Sequence, residues 1–178
     1  ELDKAGHVEG VDSSGYRRAL GRVDSLVAGL LELLGGDAEL VVTSDHGMVD
    51  VPDDRRLDIE GSPALRAGVA TILGEPRVRH VYAEPGAAGD VHRRWTQELG
   101  SRASVRTRAE VGELLGPVDD WYSDRIGDVV AIAHDDWALV SQRIDRVVSG
   151  LRGQHGALTP EEVLVPLRAS WTPAGAGS

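Results

Sequence analysis

The 178-residue sequence contains no cysteine, no phenylalanine and a single lysine, Lys4. Without cysteine there is neither a disulfide framework nor a thiolate metal site, so any metal must be held by His, Asp and Glu. The same absence leaves the redox compartment open. Without phenylalanine the core must be filled by Leu, Val, Ile and Trp. No apolar run approaches the roughly 18 residues that a membrane-spanning helix needs, so no membrane partner is expected. Basic residues are also scarce: 19 against 29 acidic ones give a formal charge of −10, which opposes binding to a nucleic-acid polymer. The chain opens on Glu1-Leu2-Asp3, without an initiator Met or a signal peptide. It reads as starting in the middle of a longer protein, so localisation stays open: cytoplasmic is the default, and a periplasmic or secreted setting fits as well.

The pattern that is present alternates helix and strand. Tyr16, Leu20, Val23, Val27, Leu30, Leu31 and Leu34 recur at spacings of three and four, predicting an amphipathic helix capped by Asp12, Ser13 or Ser14 and ended by Gly35-Gly36. Leu40, Val41 and Val42 predict a short buried strand. Helix, short link and strand look like half of a βαβ unit. After Met48 the polar stretch from Asp50 to Arg56 reads as a loop. An α+β insertion is then expected, with a helix over Ala64 to Leu73, a strand over Val78 to Ala83 and a turn at Pro85-Gly86. A helix from Val91 to Leu99, a strand from Ala103 to Thr107 and a helix from Arg108 to Leu115 complete it. Core-like signal returns at Val129 to Ala133 and Trp137 to Val140. Thr159-Pro160-Glu161-Glu162 predicts a helix start with Thr159 as N-cap and Glu162 closing a capping box. The tail from Ser170, rich in Pro, Gly and Ala, predicts disorder.

Three clusters carry chemistry. Asp45 and His46 follow the strand at a Gly turn, where ligands gather in open α/β sheets; alone, the pair also fits a helix cap beside a half-buried His. Asp3 and His7 stand four apart, on one helical face or in a loop at Gly6. His155 lies between Gly153 and Gly156. Two carboxylates and three imidazoles exceed what one tetrahedral ion uses and suit a two-metal site lacking a few ligands. His80, His92 and His134 read as ordinary residues, Asp128 as a structural turn residue, and Asp135-Asp136 as a solvated turn. Trp95, Trp121, Trp137 and Trp171 are expected to pack, although Trp121-Tyr122 could line a pocket.

Glu1-Leu2-Asp3-Lys4-Ala5-Gly6-His7-Val8-Glu9-Gly10, Thr43-Ser44-Asp45-His46-Gly47-Met48 and Gly153-Gln154-His155-Gly156-Ala157-Leu158-Thr159-Pro160-Glu161-Glu162 together resemble the second half of an alkaline-phosphatase-superfamily enzyme. The matching branch is that of type I phosphodiesterases and nucleotide pyrophosphatases, over roughly residues 1 to 51 and 125 to 168. The resemblance implies an α/β sandwich around a mostly parallel sheet, of which this chain is the C-terminal part. It divides the chain into core residues 1–51, an inserted cap at 52–124, core residues 125–168 and a flexible tail at 169–178. The cap is expected to cover the metal site and contribute to substrate choice.

The resemblance further implies two zinc ions bridged by a substrate phosphate, with Asp3, His7 and His155 on the first ion and Asp45 and His46 on the second. The implied reaction hydrolyses a phosphodiester, pyrophosphate or monoester, such as a nucleotide, through a phosphorylated Thr or Ser. That nucleophile belongs to the N-terminal half of such enzymes, the expected partner of this chain. Thr43 and Ser44 match the family's strand end rather than its nucleophile. Alternatives are a phosphonate or sulfate ester hydrolase, a phosphomutase, or a non-catalytic metal-binding fragment.

Overall fold

The computed structural model describes residues 1–34, 38–116 and 119–170, and opens on α1 (Leu2–Glu9) and α2 (Ser14–Leu34). The Ser13 hydroxyl accepts a hydrogen bond from the Tyr16 amide at 2.9 Å, filling one of the donors that a first helical turn leaves without an intrahelical partner. The predicted helix is therefore present, but much of its apolar stripe is uncovered. Leu20 remains 49% exposed, and only Gly15 and Ala19 of the helix are buried. Gly35 and Gly36 lie outside the described residues.

β1 (Leu40–Thr43) pairs antiparallel with β10 (Leu167–Ser170). The expectation of a buried strand is corrected here: Val41 is 55% exposed. An apolar run makes a strand fit for burial, yet burial also needs a covering layer on each face. Ala169 and Ser170, placed in the tail by composition, instead belong to this ladder. The rest of the tail, 171–178, lies outside the described residues.

β2 (Val49–Asp50) pairs antiparallel with β9 (Gly153–Gln154), and β3 (Arg56–Asp58) runs parallel to β8 (Ala138–Val140). Among the described residues the latter is the one parallel pairing. The predicted helix over Ala64 to Leu73 is a further correction. Helix α3 (Pro63–Arg66) is a single turn, Gly68 takes φ +74°, and β4 (Val69–Glu75) forms a hairpin with β5 (Val78–Ala83). Leu65, Val69, Ile72 and Leu73 satisfy helical spacing, but the left-handed backbone at Gly68 breaks the helix and the hairpin ladder claims the residues beyond it.

The remaining elements are α4 (Ala88–Leu99), β6 (Ala103–Thr107), α5 (Arg108–Leu115), α6 (Asp120–Ser123), β7 (Val129–Ala133), α7 (Arg146–Ser149) and α8 (Pro160–Val163). β4, β5, β7 and β6 form one antiparallel sheet in that order. One of its two inner strands, β7, comes from beyond residue 124, so the hydrogen-bonded sheet crosses the expected cap boundary. α4 covers one face, burying Val91, Trp95 and Leu99 beside Ile59, Leu65, Val81 and Leu139. The Trp95 indole N–H donates to the Leu65 carbonyl at 3.0 Å, so the largest aromatic enters the core without an orphaned donor. Val, Leu, Ile and Trp fill the core, as the lack of Phe requires. Trp121 departs from its expected packing and is 82% exposed. Trp137 sits beneath Arg55 and Arg102, 5.0 and 5.5 Å from its ring.

His80, on β5, accepts a hydrogen bond at Nδ1 from the Gly127 amide at 3.2 Å. Burial lowers its pKa below the ordinary histidine value. The unfolded imidazole binds a proton more readily, so the stability held by the neutral ring is complete above about pH 6.5 and is lost as pH falls through the lowered folded value. His80→Gln, which cannot titrate, is expected to flatten the decline in urea midpoint between pH 7 and pH 5. An unaltered decline would assign it to other groups.

Candidate metal centre

α1 settles the choice between helix and loop for the first cluster: Asp3 and His7 lie on one helical face, with His7 Nε2 3.4 Å from Asp3 Oδ1. The β2–β9 pairing then closes the long sequence gap between the other two clusters. It registers Val49 with Gln154 and Asp50 with Gly153, bringing the chain just after Met48 beside the chain just before His155. α1 is fastened to the start of β9 and the residue before it by two bonds. The Arg152 amide donates to the His7 carbonyl at 2.8 Å, and His7 Nδ1 lies 2.8 Å from the Gly153 carbonyl oxygen.

The result is a convergence of imidazoles. His46 and His155 stack with ring centroids 3.6 Å apart, and His7 lies 5.1 Å from His155. One ligand atom each from Asp3, His7 and His155 falls within 4.8 Å of the others. His46 Nε2 is 3.9 Å from Asp3 Oδ1 and 3.9 Å from Asp45 Oδ1. Asp45, whose side chain is 91% exposed, stands at the rim. An open cavity of about 620 Å³ borders Asp3, Asp45, His46 and Met48 and is walled by α2 residues including Arg22 and Leu26.

The ring nitrogens of His7 and His46 are fixed by backbone carbonyls. A carbonyl oxygen can only accept, so His7 Nδ1 donates to Gly153, and His46 Nδ1 donates to the Gly47 carbonyl at 2.8 Å. That tautomer leaves both Nε2 lone pairs facing Asp3. Carbonyl-fixed histidines are the usual outer support of metal-ligating imidazoles. Burial first, then the neighbouring His46 and His7, push the His155 pKa down, opposed by Asp3 and Glu75. Asp45 is held below the usual carboxylate range by its own backbone N–H and then by His46. The donor set, mixed imidazole and carboxylate without sulfur, fits a divalent ion such as zinc.

The family model for type I phosphodiesterase/nucleotide pyrophosphatase matches residues 1–158. The chain belongs to this family. Its members are generally metal-dependent hydrolases. Human ectonucleotide pyrophosphatase/phosphodiesterase family member 5 is 23% identical over 164 residues, 88% of this chain and 32% of that protein. The structure of the murine member 5 gives a TM-score of 0.77 at 22% identity, covering 97% of this chain and 45% of that one. An inactive form of the murine protein in complex with AMP gives 0.75 at 23% identity, over 95% and 44%. The chain therefore spans about a third of the curated relative and less than half of the solved ones. These superpositions establish the expected α/β fold as a partial domain.

Other side chains stay outside the cluster. His134 contacts Ser104 Oγ at 2.7 Å and the Ser101 carbonyl at 3.0 Å. Asp128 is structural: its carboxylate accepts from Arg108 at 2.8 Å and from the Ala83 amide at 3.0 Å. The capping box expected at Thr159 is a correction. Glu162 turns inward, and Thr159 Oγ1 donates to its carboxylate at 2.7 Å instead of capping the backbone. Sequence reasoning missed the partner, Arg77, which reaches Glu162 with Nε at 3.0 Å and a terminal nitrogen at 2.7 Å. Local spacing held no signal for a pair so distant in sequence.

Proposed function

We propose that this chain is the C-terminal part of a metal-dependent phosphoric ester hydrolase acting on a small phosphorylated substrate such as a nucleotide or phosphodiester. The observation that carries the reading is the meeting of Asp3, His7 and His155 beside His46, from three segments in the family's order. In this reading Asp3, His7 and His155 hold one zinc ion, and Asp45 and His46 hold part of the shell of a second. Two such ions, when bound, supply Lewis-acid stabilisation of the entering and leaving oxygens of an in-line displacement. Gly153 and Gly47 carbonyls keep His7 and His46 in the tautomer that presents Nε2. The nucleophile, a Thr or Ser that becomes phosphorylated, lies in the N-terminal half of the protein, which also covers the exposed stripe of α2 and the open face of β1. The AMP held by the murine relative supports a nucleotide as the substrate class.

The test uses the full-length protein loaded with zinc. Bis-p-nitrophenyl phosphate or p-nitrophenyl phosphate is expected to be hydrolysed, with activity lost on chelation and regained with zinc. Hydrolysis of p-nitrophenyl sulfate or a phosphonate ester alone would move the protein to another branch of the superfamily. No turnover of any of these would overturn the reading.

A further inference from the structure

One acidic residue bonds to two of the three segments that build the metal centre, the turn after His46 and the loop after His155. Glu162 is buried, as is Arg77 at the tip of the β4–β5 hairpin. Its carboxylate accepts from Arg77 twice, from the Ala157 amide at 3.0 Å and from the Thr159 hydroxyl at 2.7 Å. Ala157 lies two residues beyond His155, so this bond closes the loop that carries His155. The Glu162 backbone carbonyl accepts from the Gly47 amide at 2.7 Å, and the Glu161 carbonyl accepts from Met48 at 3.1 Å. Gly47 is the immediate neighbour of His46. Arg77 is anchored in turn by the carbonyls of Asp135 and Trp137.

We infer that Glu162, clamped by Arg77, is a positioning residue that sets the separation of the His46 and His155 loops and so the geometry of the metal centre. This rests on the functional reading above and adds to it a role for residues that touch neither metal nor substrate. The pairing is charge-assisted and bidentate, the arrangement that fixes direction as well as distance. Within a buried site both partners stay where they are held, since leaving either one unpaired is costly. The hairpin thereby acts on the site from within the expected cap.

A second ion pair, buried Arg79 on β5 with half-buried Asp145, separates positioning from mere stability. Arg79 reaches Asp145, the Leu139 carbonyl at 2.8 Å and the Gly74 carbonyl at 2.8 Å. These contacts tie β5 to β8 and the start of α7, with no bond to the His46 turn or to the loop after His155.

The experiment compares full-length wild type, Glu162→Gln, the apolar double variant Arg77→Met with Glu162→Met, and Asp145→Asn. Each is titrated with zinc against a chelator, its cobalt-substituted absorption spectrum is recorded, and the metal-free Tm is measured. The expected result is zinc affinity about 10- to 100-fold weaker in Glu162→Gln, the usual range for outer-shell partners, with an altered cobalt spectrum. The double variant is expected to regain Tm but not affinity. Asp145→Asn is expected to lose Tm while keeping wild-type affinity and spectrum. The inference is overturned if Glu162→Gln and the double variant match wild type in affinity and spectrum, or if Asp145→Asn weakens zinc equally. A wild-type protein that binds no zinc would remove the functional reading and this inference together, a result distinct from loss of the inference alone.

Discussion

His155→Ala in the full-length protein is expected to lower kcat/KM for a phosphodiester about 10³-fold and, in the proposed two-zinc centre, to release one ion. His155 is the side chain on which the cluster converges, 3.6 Å from the His46 ring and 5.1 Å from the His7 ring. In the proposed centre its removal would take a ligand from the first ion and leave Asp3 and His7 to hold that ion alone. Lewis-acid stabilisation is worth several kcal/mol of transition-state charge, and about 4 kcal/mol corresponds to about three decades in rate. The fold should survive, because the strand that positions His155 is held by backbone pairing of Gly153 and Gln154 with β2. His92→Ala, on α4 and away from the cluster, serves as the control and should leave rate and metal content unchanged. Two zinc ions and an undiminished rate in His155→Ala would remove this residue from the site.

Short-range chemistry made much of this molecule readable in advance. β5, β6 and α5 occupy the predicted spans, and α5 has a local reason for its start: Thr107 and Glu110 form a complete capping box. The i, i+4 relation of Asp3 and His7 and the glycines around His155 marked candidate ligands because metal chemistry needs those residue types. What sequence could not show was decided by pairing over distance. The helix expected through Leu73 gave way to a strand once β5 lay beside it, and Gly68 marks where the two readings part. Glu162 matched a local capping signature, but a buried arginine competed for its carboxylate and won. Burial alone would raise the pKa of such an acid; hydrogen bonds from Arg77 and Thr159 outweigh it and leave the group ionised. The stripe on α2 specified a helix correctly while saying nothing about what covers it.

Gly47→Ala is expected to be among the most damaging single substitutions, though it adds one methyl group. A Cβ at this position would overlap the backbone carbonyl oxygen of Glu161. Overpacking against a side chain can often relax, and typically costs about 1–3 kcal/mol. Here the obstacle is main chain, and that main chain is pinned: Gly47 and Met48 both donate to it, and the Glu162 side chain is fixed by Arg77. Relief must therefore come from the other side, by lifting the Asp45-His46 turn away from His155. We expect the metal-free Tm to fall and, in the proposed centre, the ion assigned to Asp45 and His46 to be lost before the one assigned to Asp3, His7 and His155. Gly89→Ala provides the contrast, since the nearest atom to its added Cβ is the flexible end of Arg93 at 3.9 Å. In α4 that change should be neutral or stabilise by up to about 1 kcal/mol, as alanine favours helix over glycine. If Gly47→Ala keeps both the Tm and the zinc stoichiometry of wild type, the close approach of the two ligand-bearing loops does not constrain the site.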